Sequence, residues 1–492
     1  MKMNGLRMAV VGVVVGASLS LSVAPANAQG DTVNVMIRNI YLGADVSVAL
    51  DLIPDLPAAA QFMWDQVATT NFTQRAPVLA NELAREQPAV VGIQEATIWE
   101  CKPGLFSEST VIFNFLDQLL EATKATGVEY VIAAQGGSEA VNPGYTIPAI
   151  PFLTNVNDPI TFQPLFGSDS AACGFTISDA LLVRADLAAD VVEVGTGDYQ
   201  TAYAVVPVIF EVIRGYAWAD LKLPQGTTRF VTTHLESVWD PNSVPEGAQQ
   251  ANELVAVASD WTMPLVVMGD FNADPRDPRP KGSLNPGDQP DTTTGCEAQA
   301  DAPTAESAIA TCNAYWAMIN AGFVDAGPDS LDPANRTWGA EALLAGPDLT
   351  RLDQVEDNPL GYSDRLDYIF VRNGVTVEAV KLIGAAWPQG EELWPCTDPR
   401  QLENARLAAE KLGASLGEKV CLPTDHVGLL ATLSLSEQNN VPGSQVNTQT
   451  SVESEDSFQW AVVLAWAIIV LTLVALSVMA MRRRRTRNTN LN

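Results

Sequence analysis

Residues 265–272 read LVVMGDFN, an apolar run that ends abruptly in a carboxylate and a carboxamide. The run Leu265–Met268 has the length of a strand buried on both faces, and Gly269 marks its end. Asp270 and Asn272 follow where the chain leaves the predicted strand. In layered α/β proteins, polar side chains at strand ends line the ligand-binding edge of the sheet. The segment therefore predicts an α/β fold with a polar site at a sheet edge.

Three further apolar runs end in the same way. They are Val33–Arg38 followed by Asn39, Ala89–Ile93 followed by Gln94 and Glu95, and Arg229–Thr233 followed by His234. One polar residue after one strand is most often an ordinary capping turn. Four such strand ends are much harder to explain as turns, and together they indicate one shared site.

The rest of the chain predicts a mixture of strands and helices. Further strands are expected at Ala180–Val183, Leu366–Val371 and Val427–Leu435, and helices at Gln74–Glu86, Ser243–Ser259 and Gln401–Leu412. This mixture is typical of a layered α/β or α+β domain. Loop insertions at 135–170, 274–312 and 385–424 would account for the length of one core. Two domains are the alternative, because single cores rarely grow past about 300 residues.

Histidine is rare in this chain, with His234 and His426 as the only two among 492 residues. A lone histidine is usually a core or surface residue, but two beside polar strand ends suggest general acid–base chemistry. The candidate site residues are Asn39, Glu95, His234, Asp270, Asn272, Asp364, Asp367, Asp425 and His426. Carboxylate and carboxamide oxygens without thiolates suit a hard cation such as Mg²⁺, Mn²⁺ or Ca²⁺. Together with imidazole, they predict metal-assisted hydrolysis of a phosphoester.

The composition excludes several classes of protein. With 47% apolar residues, the chain is not intrinsically disordered. Its net charge of −30, from 58 acidic and 28 basic residues, excludes proteins that coat nucleic acid through an excess of lysine and arginine. The acidic balance predicts a solvated surface and a need for cations near any anionic substrate.

Both ends of the chain carry membrane signals. Residues 1–28 combine a basic start, an apolar stretch and small residues, which is the pattern of a cleavable signal peptide or, alternatively, an uncleaved anchor. Residues 460–481 predict a transmembrane helix rather than a buried core helix, because the arginine-rich segment 482–492 follows at once. The polar segment 436–459 predicts a flexible stalk. We therefore expect residues 29–435 to form an exported domain anchored at the cell surface, with a cytoplasmic tail.

The six cysteines all lie in the predicted exported part, where up to three disulfides are expected. Proximity in sequence favours the pairs Cys296–Cys312 and Cys396–Cys421, although six cysteines allow 15 connectivities. No cysteine–histidine spacing in the chain suggests a zinc site.

Taken in order, the motifs resemble those of the endonuclease/exonuclease/phosphatase superfamily, which includes deoxyribonuclease I, neutral sphingomyelinases and inositol polyphosphate 5-phosphatases. The matching motifs are Asn39, Gln94-Glu95, His234, Gly269-Asp270-Phe271-Asn272, Asp364-Arg365-Leu366-Asp367-Tyr368 and Asp425-His426. Each motif is weak alone, but six in this order form a specific signal. The resemblance implies a deoxyribonuclease I-like, four-layer α/β sandwich, with two packed β-sheets flanked by helices.

The resemblance also implies which residues handle the metal and the phosphate. Glu95 would bind a divalent metal, with Asn39 positioning the metal or the phosphate and Asp425 near the metal. Asp270 would orient the attacking water, and Asn272 would hydrogen-bond a phosphate oxygen.

Other family roles fall on the two histidines and their partners. His426 would act as general base or phosphate ligand, and the carboxylate that orients it would be Asp364 or Asp367. His234 would protonate the leaving oxygen. Arg214 would contact the substrate phosphate, since it precedes His234 at about the distance found in deoxyribonuclease I.

The sequence does not decide between two classes of substrate. The segment 269–274, GDFNAD, resembles deoxyribonuclease I, whereas 233–236, THLE, resembles the sphingomyelinases. We expect a metal-dependent phosphodiesterase acting on nucleic acid, with a phospholipid as the alternative substrate. A non-catalytic surface binding module is a further alternative, and no protein partner is expected.

Overall fold

The computed structural model describes residues 32–435, except 53–54, 105, 150–151, 155, 160, 169, 207–209, 238–243 and 278–311. The predicted signal peptide, stalk, transmembrane helix and basic tail lie outside the described residues. Within the described part, no helix is both long enough and apolar enough to cross a membrane. The membrane anchor therefore stays a prediction from the sequence.

The strands span both halves of the described chain. They are β1 (Thr32–Asn39), β2 (Val90–Lys102), β3 (Thr110–Asn114), β4 (Tyr130–Ile132), β5 (Ala134–Gln135), β6 (Ser138–Glu139), β7 (Val141–Ile147), β8 (Phe152–Thr154), β9 (Ser170–Arg184), β10 (Val191–Asp198), β11 (Tyr203–Val206), β12 (Phe210–Val212), β13 (Gly215–Leu223), β14 (Gly226–His234), β15 (Leu265–Asp270), β16 (Val324–Asp325), β17 (Asp367–Arg372), β18 (Val375–Ile383) and β19 (Gly428–Leu435).

Helices connect and cover these strands. They are α1 (Val46–Asp51), α2 (Leu56–Thr70), α3 (Phe72–Glu86), α4 (Phe115–Thr126), α5 (Glu246–Ala258), α6 (Ala314–Asn320), α7 (Leu349–Gln354) and α8 (Pro399–Leu412). Asp55, Asn114 and Asp398 cap the starts of α2, α4 and α8 by accepting hydrogen bonds from first-turn N–H groups. Gly127 and Gly413 end α4 and α8 in the left-handed conformation that glycine adopts easily.

The strands form two large sheets. The first has the order β18-β19-β1-β2-β9-β4, with β3, β7 and β8 attached, and the second has the order β10-β13-β14-β15-β17-β16. The pairs β1–β2 and β14–β15 are parallel. Parallel neighbours need a crossover connection, and this chain supplies α1–α3 for the first pair and α5 for the second.

Apolar packing places helices on the outer face of each sheet. A cluster that includes Trp64 and Leu79 joins α2 and α3 to the first sheet. A second cluster, with Val35 and Met268, fills the space between the sheets. A third, with Leu254, joins α5 to the second sheet. The predicted α/β class, with two sheets and flanking helices, is confirmed.

The predicted elements agree with this structure, but their bounds do not always match. Ala180–Val183 is only the end of the 15-residue strand β9, and the predicted strand Ala89–Ile93, apart from Ala89, falls in the longer β2. The predicted insertion 135–170 contains β7, and 385–424 contains α8, which corresponds to the helix expected at Gln401–Leu412. The predicted insertion 274–312 lies mostly outside the described residues.

The cysteine prediction is confirmed in one pair. Cys396 is bonded to Cys421, as expected, and Cys101 is bonded to Cys173 across β2 and β9. Cys312 is disulfide-bonded, while its predicted partner Cys296 lies outside the described residues.

Candidate active site

The two parallel strand pairs bring four predicted site residues to one rim. Asn39, at the end of β1, lies opposite Gln94 of β2, next to Glu95. His234, at the end of β14, lies opposite Asp270 of β15. Because parallel neighbours end at the same edge of a sheet, each sheet presents its polar residues at its rim.

The sheets approach each other closely just below this rim. A Cβ on Gly92 would lie 3.1 Å from both Met268 Cβ and Thr232 Oγ1, so glycine permits the approach. Above it, Gln94 Nε2 donates a hydrogen bond of 2.8 Å to Thr232 Oγ1. The polar ends of the two sheets therefore form one site rather than two.

Asn39 is the residue that joins the two sheets within the site. Its Nδ2 donates to Glu95 Oε1 at 3.0 Å and to Asp270 Oδ2 at 2.9 Å. Its Oδ1 accepts a hydrogen bond of 2.9 Å from the backbone N–H of Tyr41, and the side chain is fully buried. Asn39 thus orients two carboxylates through one amide group.

Glu95 points into the site because its backbone leaves regular strand geometry. Its φ is +62°, and the pairing of β2 with β9 is interrupted between Ile93 and Ala96. Such a left-handed backbone costs a non-glycine residue about 1–3 kcal/mol, so the surrounding structure must hold it. The N–H of Leu42 does so, donating to Glu95 Oε2 at 2.5 Å.

His426 is oriented by Asp367, which settles the choice between the two predicted carboxylates. Its Nδ1 lies 2.9 Å from Asp367 Oδ2, and its Nε2 lies 3.6 Å from Asp270 Oδ2. Burial alone would lower the pKa of His426, but the carboxylates of Asp367, Asp270 and Asp425 raise that pKa well above its usual value. The expectation for Asp364 is corrected: it accepts a hydrogen bond from Ser363 Oγ, one residue away.

His234 has a different environment, which includes the predicted site residue Arg214. The buried Arg214 lies beside the imidazole, with Nη1 3.1 Å from His234 Nδ1, and its predicted contact with a phosphate stays a prediction. His234 Nε2 lies 3.7 Å from Asp270 Oδ2. Burial and the Arg214 charge lower the pKa of His234 well below its usual value, so the ring is neutral near pH 7.

Asp270 lies between the two histidines. Burial raises its pKa to about 7, while the His426 ring opposes the rise. Asn272, with φ of +45°, donates its backbone N–H to Asp270 Oδ1 at 2.9 Å and its side-chain Nδ2 to the carbonyl of Leu235 at 2.9 Å. Asn272 therefore braces the Asp270 carboxylate, and the turn holds its amide beside the site.

The acidic donor set fits a hard divalent cation. Oxygen or ring-nitrogen atoms of Glu95, His234 and Asp270 lie within 4.8 Å of one another, and so do those of Asp270, Asp367 and His426. Burial raises the pKa of Asp425 to about 6, and repulsion from Glu95 adds to this rise. Buried carboxylates that repel one another are stabilised by a cation, and their oxygens are the ligands that Mg²⁺ prefers.

Three residues that make contacts at the site were not predicted from the sequence. Asp179 of β9 is buried, accepts from the N–H of Glu95 at 3.4 Å and lies 3.8 Å from His234 Nδ1. Trp338 donates from Nε1 to Asp425 Oδ2 at 3.4 Å, and Glu236 accepts from Arg214 Nε at 3.3 Å. Asp179 carried a usable signal, since it stands directly before the apolar run 180–183.

Buried carboxylates and two histidines at a rim suited to a divalent cation define a metal-dependent hydrolase. A family model described as Endonuclease/Exonuclease/phosphatase family matches residues 71–388 of the chain. The chain belongs to this family, whose members are metal-dependent hydrolases of phosphoester bonds. The superfamily resemblance and the hydrolase class predicted from the sequence are confirmed.

Solved structures similar to the chain come from several organisms, and each covers 82% of it. An endonuclease/exonuclease/phosphatase from Beutenbergia cavernae is 15% identical, with 72% of that chain covered and a TM-score of 0.42. A mannosyl-6-phosphatase from Bacteroides thetaiotaomicron is 14% identical, with 99% covered and a TM-score of 0.37. A humanized D. rerio TDP2 is 13% identical, with 99% covered and a TM-score of 0.37. No curated protein sequence matches the chain.

Proposed function

We propose that the protein is a cell-surface, divalent-metal-dependent phosphodiesterase with a deoxyribonuclease I-like four-layer sandwich, and that it cleaves nucleic acid. The observation that carries the chemistry is the position of Asp270 Oδ2, 3.6 Å and 3.7 Å from the Nε2 atoms of His426 and His234. A carboxylate between two imidazoles can hold a water molecule while the rings bind the oxygens of a phosphate placed above it.

Asp270 is the group that activates the water. Burial raises the pKa of Asp270 to about 7, which makes it a stronger base toward water than an ordinary aspartate. The water oxygen bonds to phosphorus, its proton passes to Asp270, and the bond from phosphorus to the leaving oxygen breaks. The leaving oxygen takes a proton from solvent and Asp270 then releases its proton to solvent, so one water is consumed for each bond cleaved.

The remaining residues bind and orient. His426, whose pKa its three carboxylate neighbours raise so that the ring keeps its additional proton, donates from Nε2 to a phosphate oxygen and contributes positive charge. Glu95, which Asn39 supports, and Asp425 would hold the cation, for which we propose Mg²⁺. When bound, the cation supplies positive charge that offsets the developing charge on the phosphate.

Nucleic acid is the proposed substrate because of the turn after β15. Its sequence, 269–274, resembles that of deoxyribonuclease I, and the structure gives the turn a defined geometry. Asp274 accepts hydrogen bonds from Arg276 Nε at 2.6 Å and from the backbone N–H of Arg365 at 2.9 Å. The turn that carries Asn272 is thereby fixed to the segment before Asp367, which leads into β17, the neighbour of β15 in the sheet.

A phospholipid is the second candidate, and one observation favours it. Phe106 and Phe162 are 98% and 71% exposed, on the loops beyond the disulfide-bonded ends of β2 and β9. Exposed aromatic side chains of this kind mark contact surfaces for membranes or proteins.

The test is hydrolysis by the full-length protein of plasmid DNA and of sphingomyelin vesicles, each with Mg²⁺ and with a chelator. We expect Mg²⁺-dependent cleavage of DNA that is lost in Asp270→Asn. Cleavage of sphingomyelin alone would replace nucleic acid by phospholipid. Cleavage of neither substrate, or cleavage unaffected by the chelator, would overturn the proposal.

The location is tested separately in cells of the source organism. A protease added to intact cells is expected to remove the domain at 29–435 while the basic tail at 482–492 stays protected. Full protection of the domain would contradict a cell-surface location.

A further inference from the structure

We propose that Arg214 is a positioning residue that fixes the tautomer of His234, so that His234 serves as a hydrogen-bond donor to the phosphate rather than as the proton source for the leaving oxygen. This role rests on the proposed phosphodiesterase function for its consequence. The structural evidence for this role consists of the contacts of the Arg214 and His234 side chains alone.

The argument begins with the donors and acceptors of the pair. A guanidinium group has five N–H donors and no acceptor. Arg214 Nη1 lies 3.1 Å from His234 Nδ1, which is hydrogen-bond distance. His234 Nδ1 must therefore accept, so the proton of the neutral ring is on Nε2. His234 Nε2 lies 3.7 Å from Asp270 Oδ2, so this N–H is on the side of the ring that faces the proposed water-activating carboxylate.

Arg214 is held in this position from several sides. Its Nε donates to Glu236 Oε2 at 3.3 Å, and its guanidinium lies 5.5 Å from the centre of the Tyr145 ring. Glu236 is fixed in turn, because its Oε1 accepts from the N–H of Ser237 at 2.9 Å and its own N–H donates to Gln250 Oε1 at 2.8 Å. Arg214 would have to break these contacts to reach a phosphate.

The two histidines are thus held in opposite ways. Asp367, an acceptor, lies 2.9 Å from Nδ1 of His426 and keeps a proton on that nitrogen. Arg214, a donor, keeps the proton off Nδ1 of His234. The nearest carboxylate oxygen to His234 Nδ1, that of Asp179, is 3.8 Å away, beyond hydrogen-bond distance. The His426 ring is therefore placed to carry an additional proton, whereas the His234 ring keeps a single proton, on Nε2.

Nitrogen-15 NMR of the full-length protein labelled at histidine tests this directly, because the chain has only two histidines. We expect one ring with an unprotonated Nδ1 and a protonated Nε2, and its signals should disappear in His234→Gln. In Arg214→Met the Nδ1 signal should move toward the protonated position, whereas Arg214→Lys, which keeps a donor-only cation, should retain the tautomer.

The matched control is Arg229→Met, which removes another buried arginine of the second sheet. Arg229 pairs with Asp220 and stacks on Trp218, away from His234. The Arg229→Met substitution should leave the His234 signals unchanged. A His234 ring protonated on Nδ1 in the wild-type protein, or unchanged in Arg214→Met, would overturn the proposal. This readout needs no substrate, so it is independent of any failure of the proposed activity.

A kinetic comparison adds the consequence for the reaction. Two phosphodiesters are compared, one with a 4-nitrophenolate leaving group, which needs no proton, and one with an alkoxide leaving group, which does. If His234 only donates a hydrogen bond to the phosphate, Arg214→Met lowers kcat/KM for both by a similar factor, roughly 100-fold. A loss confined to the alkoxide substrate would show that His234 supplies a proton.

Discussion

At the scale of single residues, the site depends on pairs of groups whose neighbours set their hydrogen bonds. Asn39 uses one amide nitrogen to hold Glu95 and Asp270, which belong to different sheets. Asp367 and Arg214 determine which nitrogen of each histidine carries a proton. Substitutions that keep the shape of a side chain but change its donors are therefore the most informative.

The first residue-scale prediction separates the two carboxylates proposed for His426. Asp367→Asn removes the negative charge beside Nδ1, so His426 should lose its additional proton, and kcat/KM should fall by about 100-fold or more. Steady-state hydrolysis of the DNA substrate measures the loss. Asp364→Asn is the matched control and should retain most activity, because the Asp364 carboxylate contacts Ser363. Equal losses in the two variants would contradict the assignment.

The second residue-scale prediction concerns pH and stability without metal. Burial raises the pKa of Asp179 to about 7, above the value of about 3.9 for an unfolded chain. The folded state therefore binds more protons between these values, and stability is lost as the pH rises through that interval. The contribution of Asp179 is about 1.4 kcal/mol for each pH unit.

Denaturant titrations in chelator at pH 5 and pH 8 measure this effect. The free energy of unfolding should fall more steeply with pH in the wild-type protein than in Asp179→Asn. The control Asp51→Asn, on the exposed end of α1, should show the wild-type slope. A slope unchanged in Asp179→Asn would show that the carboxylate is ionised throughout.

At the scale of elements, buried charged side chains of helix α3 hold the loops of the site in place. Arg75 of α3 is buried and donates to the carbonyls of Ile40 and Pro423 at 2.6 Å and 2.9 Å. Glu82 lies seven residues further on, two turns along the same helix face. It pairs with Arg38, which donates to the carbonyl of His426 at 2.5 Å. One helix thus fixes the chain on both sides of the residues proposed to bind the metal.

The element-scale prediction is that Arg75→Met destabilises the fold by about 3–5 kcal/mol, because it leaves several buried carbonyl groups without a donor. Chemical denaturation measures the change. Arg85→Met, on the exposed face of the same helix, should change stability by less than about 1 kcal/mol, since its ion pairs with Glu86 and Glu392 are near the surface. Similar losses in both variants would mean that Arg75 contributes only as a helix residue.

How far the sequence predicts the site follows from where each residue stands in its element. Asn39, His234 and Asp270 were found because each ends a continuous apolar run, which a buried strand requires. Asp179 stands directly before the apolar run 180–183, but it precedes that run rather than ending it, and it lies inside the long strand β9. The role of Arg214 depends on its distance from His234 Nδ1, and residue spacing along the chain does not determine that distance.

At the scale of the whole molecule, charge opposes the proposed reaction. The chain carries a net charge of −30, and its proposed substrate is a polyanion. Long-range repulsion between them slows association, and dissolved salt screens that repulsion. The screening length falls from about 30 Å at 0.01 M salt to about 10 Å at 0.1 M.

The whole-molecule prediction is therefore that kcat/KM for DNA rises several-fold as NaCl is increased from about 0.01 M to about 0.1 M at saturating Mg²⁺. An uncharged phosphodiester analogue provides the control and should show little change. A rate that falls with salt would instead reveal a local basic surface that governs association.

The close approach of the sheets at Gly92 has a mechanical consequence. The proposed catalytic groups lie on both sides of the boundary between the two sheets, with Asn39 and Glu95 on one side and His234 and Asp270 on the other. Any sliding or opening of the two sheets is felt first at the rim, where one hydrogen bond of Asn39 and one of Gln94 span the gap. Heat or denaturant should therefore abolish activity before the core unfolds. Loss of activity then measures the separation of the two sheets at the site and not the unfolding of the whole domain.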